Sequence, residues 1–402
     1  MYPKILLKTK REASLIRYHP WVFSGAIQRI EGMPGEGDVV EVCSSSGEYL
    51  ATGHYQESTI AVKILSFEQV PIDGTFFSDA IQKAYRFRES AGLVQNPLTN
   101  AYRLVFSEGD SLPGLVIDWY NGVAVLQAQS AGMLKSRTEI SEALKLIYGS
   151  ALKAIYVKSS QLAVGSSRLP VGSSRLAVGI RDHFLFGSCE DTGILETGHK
   201  FRVDFIRGQK TGFFLDQRSN RMFAQYYAKG RKVLNAFCYS GAFSVYALKG
   251  GASLVHSVDS SPQAIEWARE HIRMNGIAED LHEEFVADVK DFLPGLKQNY
   301  DLIILDPPAF AKSHKVTHNA LQAYIHINSE AMKKLNPGGI LFTFSCSQAI
   351  SREVFRSAVQ SAAIEARQSV KVLHHLSQGP DHPVSIFHPE GDYLKGLIVV
   401  AE

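Results

Sequence analysis

Val233-Leu-Asn-Ala-Phe-Cys-Tyr-Ser-Gly-Ala-Phe-Ser-Val-Tyr-Ala-Leu248, then Gly250-Gly251, then Ser253-Leu-Val-His-Ser-Val-Asp259, is the stretch whose reading decides the fold. Val233–Phe237 is a short apolar run suited to a buried parallel strand. Cys238–Gly241 is a tight loop of small residues, and Phe243–Leu248 resumes in helical style. A second apolar run, Leu254–Val258, ends on Asp259, roughly 20 residues beyond the loop, the spacing at which nucleotide-binding α/β folds place a ribose-holding acid.

A strand that stops at small residues lets a ligand approach the backbone, and the next helix offers its free N–H groups. One loop glycine is not the G-x-G-x-x-G of a dinucleotide site. The loop suits a ligand without a pyrophosphate, of which S-adenosylmethionine (SAM) is the obvious one. The same pattern also occurs in ordinary α/β cores, so both readings stand here.

The 402 residues allow two or three domains, and the formal net charge of +2 gives no global basic signature for nucleic acid. Cys43, Cys189, Cys238 and Cys346 are far apart, which argues for a reducing compartment and against a structural metal. Neither an apolar leader nor a run of membrane-spanning length is evident, so a soluble cytoplasmic protein is expected.

Residues 1–70 read as a small β domain, with Ile5–Leu7, Val39–Val42 and Ile60–Leu65 as strands between Gly/Pro/Ser turns. Lys4, Lys8, Lys10, Arg11, Arg17 and Arg29 interleave there with Tyr18, His19, Trp21 and Phe23. Cations for phosphates and rings for bases would suit RNA; a solvated edge with a core Trp is the equal alternative. Residues 71–185 read as mixed α/β, with helices over Ser78–Gly92 and Met133–Tyr148. Strands Leu115–Trp119 and Val123–Gln127 flank Asn121-Gly122, a hairpin turn signal. Val164-Gly-Ser-Ser-Arg-Leu169 recurs as Val171–Leu176, a Gly/Ser-rich surface loop duplication in which Arg168 and Arg175 could touch phosphates. Gly208-Gln-Lys-Thr-Gly-Phe-Phe-Leu-Asp-Gln-Arg-Ser-Asn-Arg221 reads as an N-capped surface helix or as a flap over a cofactor, with Asp216, Arg218 and Arg221 near one face.

Beyond Asp259, Ser261–Asn275 is a helix opened by Pro262 and closed by Gly276. Glu284–Val286 is a strand ending near Asp288, an acid placed to take an adenine amino group. Asp301–Asp306 is a buried strand running into Pro307-Pro308-Ala309-Phe310. Such an ending sets a carboxylate at the carboxyl edge of the sheet, stiffens the exit with two prolines and leaves Phe310 to stack on a base; a turn with a core Phe is the alternative. After the turn Asn336–Gly339 comes strand Ile340–Phe344, then Ser345-Cys346-Ser347 at the same edge. Cys346 is either a small buried hydrophobe or a nucleophile. Helix Glu353–Arg367 and strand Leu397–Val400 complete the sheet. His374, His375, His382 and His388 lack metal spacing and read as loop or surface residues.

On these residues the chain resembles the bacterial PUA-domain SAM-dependent methyltransferases that make 5-methylcytosine in large-subunit (23S) ribosomal RNA. The resemblance is carried by Arg17-Tyr-His-Pro-Trp-Val-Phe-Ser-Gly-Ala26, by Tyr102–Leu115, by Gly208–Arg221, and by N-A-F-C-Y-S-G-A-F, D-P-P-A-F and S-C-S in order. It implies an α/β fold in three parts: a PUA-like RNA-binding domain over 1–70, a middle α+β domain over 71–185, and a Rossmann-like methyltransferase domain over 186–402 with a seven-stranded sheet. It implies SAM as cofactor, with Asp259 at the ribose, Asp288 at the adenine and Ser260 also in the cofactor set. Phe237, Tyr239, Ser240 and Gly241 would lie at the methionine end, with Asn235, Asp216, Arg218 and Asp306 completing the cofactor set. Pro307, Pro308 and Phe310 would shape the cytosine pocket, and Lys210, Arg17 and Trp21 would meet RNA. Ribosomal RNA is the implied partner, with no membrane and no metal, and a homodimer is left open.

The chemistry then wants a cysteine. A thiolate from Cys346 adding at C6 makes C5 nucleophilic toward the sulfonium methyl, and loss of the C5 proton releases it, with Asp306 or water as base. The base must first leave its stack. Two rivals remain: an N-methyltransferase that needs only D-P-P-A-F, and an RNA-binding assembly factor on a vestigial fold.

Overall fold

The computed structural model describes residues 2–158, 181–310 and 317–402. The Val164–Leu176 duplication, with Arg168 and Arg175, lies outside the described residues. The chain divides into two compact units. One comprises Met1–Ile194, Val203–Leu215 and Pro380–Gly391; the other comprises Leu195–Arg202, Asp216–Gly379 and Asp392–Glu402.

In the first unit, residues 4–66 form a six-stranded sheet whose order runs Trp21–Phe23, Ile60–Ser66, Tyr49–Tyr55, Val39–Cys43, Lys4–Leu7, Ile27–Glu31. Alternate residues Ile5, Leu7, Val40, Val42, Val62 and Ile64 turn to one core, as a period of two requires. A second, five-stranded sheet spans residues 101–187. Its hairpin turns at Asn121 and Gly122, whose φ of 47° and 103° are the left-handed values a two-residue hairpin loop needs. The helix preceding this sheet, Gly74–Ser90, starts before Ser78 because Asp73 caps it, accepting from Thr75 and Phe76 N–H. The expected helix over Met133–Tyr148 is two helices, Ala131–Lys135 and Arg137–Tyr148, broken at Ser136.

In the second unit seven strands form one sheet: β1 (Lys232–Ala236), β2 (Leu254–Asp259), β3 (His282–Val286), β4 (Tyr300–Leu305), β5 (Leu335–Ser345), β6 (Val370–Leu376) and β7 (Lys395–Ala401). Their order is β3-β2-β1-β4-β5-β7-β6. The first five are mutually parallel, and β7 enters antiparallel to both β5 and β6. Helices α1 (Arg218–Tyr227), α2 (Ala242–Lys249), α3 (Pro262–Met274), α4 (Val289–Gly295), α5 (Thr317–Met332) and α6 (Arg352–Ala366) connect or precede the strands. The chain moves outward from β1 to β3 and then returns to the other side of β1. This reversal opens a crevice between the carboxyl ends of β1 and β4, where open α/β sheets bind ligands.

The strands at this switch are apolar because both faces are covered. Leu234, Ile303, Leu305, Leu341 and Phe355 have no more than 1% of their surface exposed. Each such side chain contributes about 1.5–3 kcal/mol by leaving water. Asn336–Gly339 is a bulge inside β5, not a turn ahead of it: Leu335 pairs with Tyr300, and Ile340 pairs with Leu302. Gly338, at φ 75°, supplies the backbone freedom the excursion needs.

Candidate active site

The loop after β1 is tightly curled: Phe237, Tyr239 and Gly241 all have positive φ, at 60°, 46° and 71°. Two of these are non-glycine residues, a conformation that costs energy and concentrates at functional loops. Gly241 is required twice over, since a Cβ there would lie 2.6 Å from the Ala268 Cβ on α3. The Asp259 carboxylate sits beside the loop. Its Oδ2 accepts from Tyr239 N–H at 2.9 Å and its Oδ1 from Ser261 N–H at 2.9 Å. The two bonds fix its orientation, and each carboxylate oxygen keeps acceptor capacity for a ribose hydroxyl. Ser260 is exposed beside it, and Ser240 is buried in the loop.

Asp288, exposed after β3, caps α4 by accepting from Lys290 N–H at 2.9 Å. Asn235 is sealed beneath the loop instead of facing it. Its Nδ2 donates to Ser244 Oγ at 2.8 Å, Ser244 meets Ser257 at 2.7 Å, and Ser257 meets His282 Nε2 at 2.7 Å. This buried chain ties β1, α2, β2 and β3 together below the ligand edge.

At the end of β4, half-buried Asp306 accepts from Gln217 Nε2 at 2.9 Å. Pro307 is buried and Pro308 exposed. Phe310 is not free to stack: its ring packs on Tyr324 at 4.8 Å between centroids, with Lys290 Nζ 5.5 Å from its centre. Cys346, partly exposed just past β5, reaches this loop, its Sγ donating to the Pro307 carbonyl at 3.9 Å. Burial pushes the nearby Tyr324 phenol up to about 12, with Cys346 and Asp306 adding to the rise.

The motif Gly208–Arg221 parts company at its acid. Asp216 is buried and accepts a hydrogen bond from Tyr393. Arg221 instead forms a two-pronged pair with Glu196, at 2.7 and 2.8 Å, and Arg218 approaches the same carboxylate at 3.4 Å. Glu196 has no exposed surface, and Arg218 and Arg221 are only 4% and 2% exposed. The segment is therefore a packed element, correcting the surface-helix expectation. His382 and His388 lie in loops, as one of the two expected readings has it, but they are buried there, at 2% and 4% exposure, and are not surface residues.

Lys210, Arg17 and Trp21 lie in the first unit. Lys210 and Arg17 are exposed, whereas Trp21 is half-buried and donates its Nε1–H to Glu108 at 2.8 Å. Glu108 also faces Lys63 at 3.8 Å; burial would raise its carboxyl, but the lysine and the hydroxyl and indole donors outweigh that and lower it. Glu196, Lys395 and Tyr324 went unnoticed in the sequence. Only Lys395 left a signal, as the one charge in the otherwise apolar run Lys395–Ala401.

These features match known proteins. The profile of the S-adenosylmethionine-dependent methyltransferase family matches residues 109–395, and that of the PUA-like domain matches residues 5–67. The chain belongs to this methyltransferase family. Relatives named "Ribosomal RNA large subunit methyltransferase I" include one from Shewanella denitrificans, 40% identical with 98% of each chain covered. Another, from Aeromonas hydrophila, is 39% identical with 100% of each covered. A solved Streptococcus mutans chain assigned to SAM-dependent methyltransferases covers 99% of both chains at 24% identity and TM-score 0.83, a likeness of fold. A second solved chain, in complex with SAH, has TM-score 0.82 at 24% identity over 99% of both.

SAM is accordingly the cofactor of this methyltransferase. The residues at the sheet edge fit it: an oriented acid with spare lone pairs at the end of β2, a curled backbone loop after β1, and a second acid beyond β3. Among the described residues, no helix is long and apolar enough to cross a membrane.

Proposed function

We propose that this methyltransferase acts on large-subunit ribosomal RNA and methylates C5 of a cytosine through a covalent bond between Cys346 and C6. The observation that carries the reading is the placement of Cys346. A partly exposed thiol stands at the carboxyl edge of β5, facing the Pro307 carbonyl of the loop that begins with Asp306. An N-methyltransferase would use that acid and that carbonyl to hold the target amine. Here the carbonyl is met by a thiol and the carboxylate by Gln217, which supports the cysteine chemistry.

When bound, SAM supplies an electrophilic methyl group at the β1–β4 crevice. Asp259, held by Tyr239 and Ser261 N–H, takes the ribose; Asp288 takes the adenine; the loop 237–241 lies at the methionine end. Cys346 attacks C6 of the flipped cytosine, which makes C5 enamine-like and nucleophilic. After methylation the C5 proton leaves to Asp306 or water, and the C–S bond breaks to return the thiolate. Pro307 and Pro308 wall the base pocket, with Phe310 supporting that wall from its packing on Tyr324. Arg17 and Lys210 are proposed to meet RNA phosphates.

The test is methyl transfer from labelled SAM to undermethylated ribosomal RNA, with identification of the product nucleoside. The expected product is 5-methylcytidine, lost with Cys346→Ala while SAM still binds. An N-methylated purine made equally well by Cys346→Ala would refute the covalent mechanism.

A further inference from the structure

Lys395 is the unexpected group at this edge. In the β5–β7 register it stands directly across from Ser345, one residue before Cys346. Its side chain is only 3% exposed, and its Nζ donates to the Ser347 carbonyl, one residue after Cys346, at 2.7 Å. The lysine thus clasps the backbone on both sides of the cysteine. A buried ammonium normally requires a carboxylate. Among the described residues no carboxylate forms an ion pair with it: Asp392, whose charge favours the ammonium, is taken by Arg352 at 2.6 and 2.9 Å. The groups that bear on Lys395 are therefore Asp392, Arg352 and Cys346, and the charges of Cys346 and Asp306 both bear on the nearby Tyr324 phenol.

We propose that Lys395 is a positioning residue for Cys346, its buried cation easing loss of the S–H proton that now meets the Pro307 carbonyl and so favouring the attacking thiolate. This rests on the nucleophile reading given above. A lysine beside a thiol favours the ionised sulfur, and the favour grows where water is excluded. The relation is mutual. Burial lowers the ammonium to about 8, and the nearby cysteine pulls it back up. The cation is thus present below about pH 8 and fades above it, so its effect on the sulfur is strongest around neutrality.

The experiment is the rate of iodoacetamide alkylation at Cys346 between mildly acidic and alkaline pH, read by site-resolved mass spectrometry on the full chain. In the wild type the midpoint should fall below the ordinary thiol value of about 8.5. Lys395→Met should raise that midpoint by about one unit and slow alkylation near neutral pH about tenfold, whereas Lys395→Arg should stay near wild type. SAM binding certifies the fold of each variant. Should Lys395→Met lose it, the wild-type midpoint alone decides: at or above about 8.5 it overturns the proposal. An unchanged profile in a folded Lys395→Met also overturns it. If that happens while Cys346→Ala is inactive, the lysine assignment alone is wrong. If Cys346→Ala methylates normally, the nucleophile reading falls and takes this proposal with it.

Discussion

Two charged regions of the second unit invite comparison: the Glu196 cluster and the carboxyl edge of the seven-stranded sheet. Both gather carboxylates with polar partners. At Glu196, two arginines and the Tyr246 hydroxyl, 3.0 Å away, converge on an acid with no exposed surface. At the sheet edge, Asp259 and Asp288 each keep some exposure, and each carboxylate is fixed by one or two backbone N–H donors. A saturated, buried acid has nothing left to offer a ligand. One that is oriented but incompletely satisfied is prepared to bind. Charge alone does not mark a site; spare capacity beside an opening does.

Breaking the buried cluster should have the largest effect on stability. Glu196→Ala leaves Arg221 and Arg218 without their carboxylate and should cost about 3–5 kcal/mol in urea or thermal unfolding. A loss near zero would place the cluster with the exposed edge.

The next effect belongs to the polar chain below the edge. Burial holds His282 at about 4, well below its unfolded value. The unfolded chain therefore takes a proton first. Stability from this group is complete above about pH 6.5, falls as the pH drops toward about 4, and changes no further below it. The full loss is up to about 3 kcal/mol, and His282→Gln should flatten the slope across this window. His54, also about 4 through burial, adds a separate contribution in the first unit. An equally steep slope in His282→Gln would show that this histidine is not part of the buried set.

Asp259→Ala sharpens the contrast from the other side. SAM affinity, measured by calorimetry, should weaken by about 1.5–3 kcal/mol, since hydrogen bonds to a charged group are lost, while the unfolding midpoint moves less than for Glu196→Ala. Equal damage to stability and binding would erase the distinction between the two regions.

The smallest effect is expected at the loop. Gly241→Ala brings a methyl against Ala268 at a left-handed φ and should cost about 1–2 kcal/mol, with SAM affinity falling alongside. Gly276→Ala serves as the control, because its φ of 63° is similarly unfavourable while nothing lies within 4 Å of the added Cβ.

Much of the fold was legible because its evidence is local. Val233–Phe237, Leu254–Val258 and Asp301–Leu305 announce buried strands by apolar runs of strand length, and Pro262 and Gly276 announce the two ends of α3. The sheet-edge acids follow from the same logic, since a strand's end can be read from where its apolar run stops. Phe310 misled because the same ring that can stack on a base can also fill a gap beside Tyr324, and only packing chooses. The histidines misled for a similar reason: His382 and His388 sit in a polar, loop-like sequence yet are buried.

By itself, then, the sequence determined the parallel strands, the curled loop with its single glycine, the ordered acids and the presence of a cysteine just beyond β5, because hydrophobic period, turn chemistry and motif order are written in neighbouring residues. Tertiary structure alone decided that Arg218 and Arg221 serve Glu196, that Asn235 lies beneath the loop, and that Lys395 braces the backbone around Cys346. Those outcomes join residues far apart in the chain. Local propensity cannot report them, because the energy of a buried charge depends on which partner the completed fold brings within reach.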